Sequence, residues 1–195
     1  MLTKPEIDKL RQDIIVQSNM RDVQLILHST WGIFSPREID EGTELLLKYI
    51  EVNANDDCLD LGCGYGPIGL TLAKLAPQGH TTLVDKDFVG IEYTKQNISR
   101  NNITNAEALL SNGFDHIRDR QFDLVVSNIP AKVGNEMLSL FLHDAWQQLK
   151  PGGRFYIVTI NGLRDYMKRN FKEVFGNYKK CKQGKNYTVA MAIKN

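Results

Sequence analysis

Cysteine is scarce in this chain, and the little there is builds no framework. Cys58, Cys63 and Cys181 are an odd number without a CxxC pair, which excludes a disulfide scaffold; they read as small buried hydrophobes in a reducing compartment. His28, His80, His116 and His143 keep no ligand spacing to one another or to cysteine, so no metal centre is expected. Long apolar runs are missing as well. Segment 1–19 alternates charged and apolar residues, unlike a signal peptide or a membrane span, and a cytoplasmic location with no membrane partner is expected. Excess charge of either sign is also absent: 24 Lys and Arg face 23 Asp and Glu. No global field therefore calls for nucleic acid, and such a partner would have to be met by a local basic patch. With 195 residues and no internal repeat, the chain has room for one substantial core but not comfortably for two.

What is present is a regular alternation of strand and helix patterns. At the start, Ile7, Leu10, Ile14 and Ile15 fall on one stripe and predict a helix over 5–17. Alternation over 23–28 predicts a strand, and 39–50 reads as a helix. Strands are expected at 58–61, 81–84, 106–110, 122–127 and 154–160, with helices at 68–76, 88–101, 136–149 and 163–175 between or after them. The run 122–127 is nearly all apolar, hence buried on both faces, and Lys150-Pro151-Gly152-Gly153 is a helix stop. The end differs: 178–182 and 186–193 read as two strands joined by Gln183-Gly184-Lys185, a hairpin rather than a crossover. The expected fold is α/β, a doubly wound, mostly parallel Rossmann-like sheet with a C-terminal antiparallel hairpin.

The chemistry begins at the first strand of the alternation. Cys58-Leu59-Asp60-Leu61 runs into Gly62-Cys63-Gly64-Tyr65-Gly66, and Pro67-Ile68-Gly69 opens the next helix. Glycines let a backbone approach a ligand where side chains would block it, and the helix start beyond offers unpaired N–H groups. Gly64 to Gly69 matches GxGxxG, and Asp85, at the end of the following strand, lies where a carboxylate can hold a ribose. Asp60 and the additional Gly62 turn the ligand away from a dinucleotide. A carboxylate there repels pyrophosphate and suits an ammonium or sulfonium charge, and S-adenosylmethionine carries both.

The opposite wall comes from 122–127, which runs out into Asn128-Ile129-Pro130-Ala131. In doubly wound sheets ligands lie beyond the carboxyl ends of the strands, so this segment should face the glycine loop. An Asn side chain and a backbone carbonyl held by proline can accept hydrogen bonds from an exocyclic amine, aim its lone pair and stabilise the charge that develops on nitrogen.

Asp60-Leu61-Gly62-Cys63-Gly64-Tyr65-Gly66, the Leu149-Lys150-Pro151-Gly152-Gly153 turn and the terminal hairpin resemble a class I S-adenosylmethionine-dependent methyltransferase. More narrowly, Gly32-Ile33-Phe34-Ser35 with Asp40-Glu41-Gly42-Thr43 resembles the small-domain methyltransferases, whose best-known members methylate the exocyclic amine of guanine in ribosomal RNA. The likeness runs from about residue 23 to the end. It implies that Asp60, Gly62, Gly64 and Gly66 wrap the methionine moiety of the cofactor and Asp85 holds its ribose. It further implies that Asn112 meets the adenine amino group, that Asn128 and Pro130 hold the target amine, and that Phe34 and Asp40 lie near cofactor or target. It divides the chain into a helix/strand extension, 1–30, and a methyltransferase domain, 31–195.

One departure bears on the substrate. The family's tetrapeptide usually reads Asn-Pro-Pro followed by an aromatic or aliphatic residue. Here Ile129 replaces the first proline, and Ala131 cannot stack on a base. Trp31 and Phe34 are candidates to supply that stack. Lysines gather near the terminal hairpin, and Lys182 and Lys185 are expected to flank the mouth of the site and contact RNA phosphates. The expected activity is methyl transfer to an exocyclic amine, guanine N2 of ribosomal RNA first. A protein-glutamine or small-molecule N-methyltransferase, a cofactor-binding module without catalysis, and a nicotinamide oxidoreductase stay open at this stage.

Overall fold

The structure, a computed structural model, describes residues 2–130 and 133–195. After a short helix α1 (Lys4–Leu10), β1 (Ile14–Met20) and β2 (Val23–Ser29) form an antiparallel hairpin of their own. α2 (Glu41–Tyr49) leads into the main sheet. That sheet is built from β3 (Cys58–Leu61), α3 (Pro67–Leu75), β4 (Thr81–Asp85), α4 (Phe88–Arg100), β5 (Ala106–Leu110), β6 (Phe122–Asn128), α5 (Asn135–Gln148) and β7 (Leu149–Ile160), followed by α6 (Arg164–Phe175), β8 (Lys179–Gln183) and β9 (Tyr187–Ile193). The strand order is β5-β4-β3-β6-β7-β9-β8. The first five of these are parallel, and β9 and β8 close the edge antiparallel.

The central strands of this sheet are covered on both faces, as their apolar runs require, whereas the edge strand β8 is largely exposed. Along β6 and β7, Leu124, Val126, Tyr156 and Val158 face α2 and α3. Val125, Phe155 and Ile157 face α5 and α6, where Leu138, Leu142, Met167 and Phe171 are buried. A third apolar cluster joins Leu70 and Ala73 of α3, Ile91 of α4 and the hairpin residues Val16, Leu25 and Leu27. From 58 to 193 the α/β alternation folds as expected, with element ends within two residues except at β7, which starts at Leu149 rather than 154 and takes in the turn at 150–153.

The expected helix over 5–17 does not form. It stops at Leu10, and Ile14 and Ile15 enter β1 instead, with Val16 buried and Ile15 59% exposed. The cause is the partner strand: β1 pairs with β2 over its whole length, from Ile14↔Ser29 to Met20↔Val23. Arg21 and Asp22 form the two-residue turn with φ of 52° and 63°.

The hairpin is fastened to the body by two asparagines one turn apart, Asn97 on α4 and Asn101 at its C-cap. Asn97 accepts the His28 N–H at 2.8 Å and donates to the His28 carbonyl at 2.9 Å. Asn101 does the same for Ile26, both at 2.9 Å. Asn97 also donates to the Tyr65 carbonyl at 2.9 Å, so the same side chain ties the hairpin to the glycine loop.

Candidate active site

All parallel strands end on one edge of the sheet. The order reverses between β3 and β6, which opens a crevice there. The glycine loop fills one side of it. Gly62, Gly64 and Gly66 have φ of 82°, 57° and 97°, the left-handed region that glycine enters without penalty. A Cβ built on Gly62 or Gly64 meets nothing within 4 Å, whereas one on Gly69 lands 2.3 Å from Leu83 Cδ2. The loop is thus bare toward the crevice, and the helix behind it is packed tight against the sheet.

Asp60 lies beneath this loop with no exposure to solvent. Its Oδ2 accepts the Gly69 N–H at 2.7 Å and so caps α3 from a neighbouring strand. Its Oδ1 is buried without a hydrogen-bond partner. Burial pushes the carboxyl up to about 7; the Gly69 N–H opposes this and the Asp85 charge adds to it. Asp85, one strand over, accepts Gly64 N–H through Oδ2 at 2.8 Å and Asp87 N–H through Oδ1 at 2.9 Å. Each oxygen keeps capacity for a further donor. Ser111 N–H reaches the Asp85 carbonyl at 2.9 Å, and Asn112 follows it in an exposed loop. Asp60, the three glycines, Asp85 and Asn112 therefore line one edge, along three adjacent strands.

Asn128 ends β6 on the other side of the crevice. Its Nδ2 donates to Asp40 Oδ2 at 2.9 Å and to Thr43 Oγ1 at 3.1 Å. A carboxylate only accepts, so the amide nitrogen must face Asp40. The amide oxygen is turned the other way, and no donor among the described residues reaches it. Ile129 is buried, and its N–H donates to the Val158 carbonyl at 3.0 Å, one more rung between β6 and β7. A proline there could not make that bond. Pro130 is exposed, and its carbonyl accepts the Val133 N–H at 3.2 Å. The reading of Ala131 as a missing stacking residue lies outside the described residues.

The remaining expected residues are more scattered. Phe34 is 65% exposed in the loop before α2, which Tyr65 fastens to the glycine loop by donating its hydroxyl to the Ser35 and Glu38 carbonyls at 3.2 and 3.3 Å. Trp31 is half-exposed and carries the Arg37 guanidinium 5.6 Å from its ring centroid. Asp40 is the N-cap of α2, accepting Gly42 and Thr43 N–H groups, and its Oδ1 accepts the Tyr187 hydroxyl at 3.2 Å. Lys185 lies in the β8–β9 turn at the carboxyl edge. Lys182 is on the outermost strand, its Nζ 5.7 Å from the Tyr49 ring centroid, about 14 Å of strand spacing from Asn128. Sequence reasoning quoted Thr43 within the family-like stretch 40–43 but gave it no role, and it missed Tyr187, which carries no local signal. A groove of about 460 Å³ between α1 and Trp31, with Leu10, Asp13 and Arg37 in its wall, shares none of the crevice residues.

Comparison with known proteins matches residues 24–191 to the methyltransferase small domain. The ribosomal RNA small subunit methyltransferase C of Mannheimia succiniciproducens is 32% identical over 175 residues, which is 87% of this chain and 51% of that protein. The uncharacterised protein YbxB of Bacillus subtilis is 30% identical, over 71% of this chain and 70% of its own length. Among solved structures, the T. thermophilus 16S rRNA N2 methyltransferase RsmC, in complex with AdoMet and guanosine, superposes with a TM-score of 0.85 at 26% identity. It covers 94% of this chain and 51% of that one. A methyltransferase from Pyrococcus furiosus gives 0.65 at 25% identity, over 77% and 80%. The chain spans about half the length of the methyltransferase C proteins that it matches.

Proposed function

This chain belongs to the methyltransferase small-domain family, and from that premise we propose that it transfers a methyl group from S-adenosylmethionine to an exocyclic amine of RNA, guanine N2 of ribosomal RNA above all. The observation that carries the reading is a pair of unmet acceptors at the carboxyl edge of the sheet: Asp60 Oδ1, buried beneath the glycine loop, and the Asn128 amide oxygen across from it. A buried carboxylate oxygen without a donor suits a cationic ligand, and the side-chain-free surface at Gly62 and Gly64 leaves room for it. The residues present therefore fit S-adenosylmethionine, with Asp60, Gly62, Gly64 and Gly66 toward its methionine end, Asp85 for the ribose and Asn112 for the adenine.

When bound, that cofactor supplies an electrophilic methyl group on a positively charged sulfur. The chain's own residues do the rest. Asn128 Oδ1 and the Ile129 carbonyl, which precedes Pro130, accept the two N–H groups of the target amine. They turn its lone pair toward the methyl group and stabilise the positive charge that grows on nitrogen. No base is required, because the methylated amine loses its proton readily to water.

Two features support RNA as the acceptor. Residues 161–195 hold nine Lys or Arg and two Asp or Glu, whereas the rest of the chain holds fifteen and twenty-one. The near-neutral total thus conceals a basic C-terminal segment, in which Lys185 lies nearest the site edge and Lys182 farther along the sheet; both are proposed phosphate contacts. Phe34 offers an open ring to a base, a contact of about 1–3 kcal/mol. Assay of labelled-methyl transfer to purified RNA, with nucleoside analysis, tests the proposal: N2-methylguanosine is expected. Asn128→Ala should lower kcat by about 10²–10³-fold with cofactor affinity unchanged in calorimetry. Label in protein but not in RNA would reject RNA as the acceptor.

A further inference from the structure

We propose that Asp40 is a positioning residue that locks the amide of Asn128 in its acceptor orientation, and that Tyr187 and Thr43 complete the lock. The proposal rests on the reading of Asn128 as the amine acceptor. A terminal amide has two faces of similar shape and opposite polarity. Turned over, Asn128 would present an NH₂ group to an incoming amine and repel it. Nothing in the Asn side chain itself prefers one orientation, so the choice must come from its partners.

The decisive partner is the Asp40 carboxylate, which can only accept; the Thr43 hydroxyl adapts to it. Asp40 Oδ2 accepts Asn128 Nδ2 at 2.9 Å while also accepting Gly42 N–H at 2.9 Å and Thr43 N–H at 3.3 Å. The helix cap therefore fixes the carboxylate, and the carboxylate fixes the amide. Tyr187 holds the second oxygen, Oδ1, at 3.2 Å. Burial, followed by the charge of Asp40, raises the pKa of its hydroxyl, which keeps it a donor. Thr43, itself buried, provides the second acceptor for Nδ2. The assembly is closely fitted: a Cβ on Gly42 would come within 2.8 Å of Asp40 Oδ2 and 3.0 Å of the Tyr187 ring. Neither oxygen of Asp40 faces the crevice alone, so its work is done through Asn128 rather than on the substrate. Tyr187 begins β9, directly after the β8–β9 turn that carries Lys185, so the lock also links the proposed RNA-contacting turn to the amine site.

Two substitutions separate this role from a structural one. Asp40→Ser keeps a good N-cap for α2 but is one atom too short to reach Asn128. Asp40→Asn can place its carbonyl where Oδ2 lies, and its NH₂ toward Tyr187 with that hydroxyl reversed, so every bond survives. Expected for Asp40→Ser is a fall in kcat of about 10²-fold, the scale of an ångström-level misplacement, with cofactor Kd and Tm unchanged. Asp40→Asn should keep turnover close to that of the parent chain. The Asn128 side-chain NH₂ should be protected from solvent exchange by NMR in the parent and in Asp40→Asn, and lose that protection in Asp40→Ser. Full turnover in Asp40→Ser, or a loss matched by weaker cofactor binding, overturns the proposal. Failure of the parent chain to methylate RNA would sink the functional reading instead, and the exchange measurement then still decides whether the lock exists.

Discussion

Asp60 joins the site to pH. In the folded chain burial holds its carboxyl near 7, against 3.8 as its ordinary value. A raised acid pKa means that the charged form is disfavoured by folding. Its contribution to stability is lost as pH rises from about 4 and is constant above the folded value. A cationic ligand reverses that penalty, because it favours the ionised carboxylate. Affinity for S-adenosylmethionine should therefore climb as pH rises through about 7 and then level off. Calorimetry in two buffers of different ionisation enthalpy should register proton release on binding near pH 7, and Asp60→Asn should abolish that release. A flat affinity profile for the parent chain would remove Asp60 from the cofactor site. The positions of Asp60, Asp85 and Asn128 were legible in sequence because each lies at or next to the end of a strand, and strand ends of a parallel sheet share one edge. The family resemblance brought Asp40 near the site, but its bonds to Asn128 and Tyr187 were not legible, since Asp40 lies 88 residues before the one and 147 before the other.

At the level of elements, β6 is where this chain departs from its family's tetrapeptide, and the departure has a structural purpose. Ile129 adds a rung to the β6–β7 ladder and inserts its side chain into the core shared with α5 and α6. Ile129→Pro would leave the Val158 carbonyl without its donor and shrink a buried side chain. Together these should cost roughly 2–4 kcal/mol of stability, read as a lower urea midpoint. An unchanged midpoint would show that the rung is dispensable. The strands and helices from 58 to 175 were readable because periodicity there switches cleanly between two and 3.6 residues. In the first hairpin β2 was readable from its alternation over 23–28, but β1 was not. The turn between them is made by Arg21 and Asp22 at positive φ, without the Asn-Gly or Asp-Gly pair that usually marks such a turn. With no turn signal, Ile14 and Ile15 could only be read as the end of a helical stripe.

Across the whole molecule, the short hairpin has an exposed strand edge of its own, and β2 would offer it to any passing chain. Asn97 and Asn101 occupy the outward N–H and C=O groups of Ile26 and His28, the very groups that another strand would seize. With Ile15 and Ile26 more than half exposed on the adjoining surface, an open edge there would be a template for edge-to-edge association. The two amides thus act as a plug against self-assembly as well as a fastening. Asn101→Ala, which frees the Ile26 groups while leaving Asn97 on the glycine loop, should shift the protein from its parent size toward larger, concentration-dependent species in light scattering. A size distribution identical to the parent's would mean that α4 shields the edge by bulk alone.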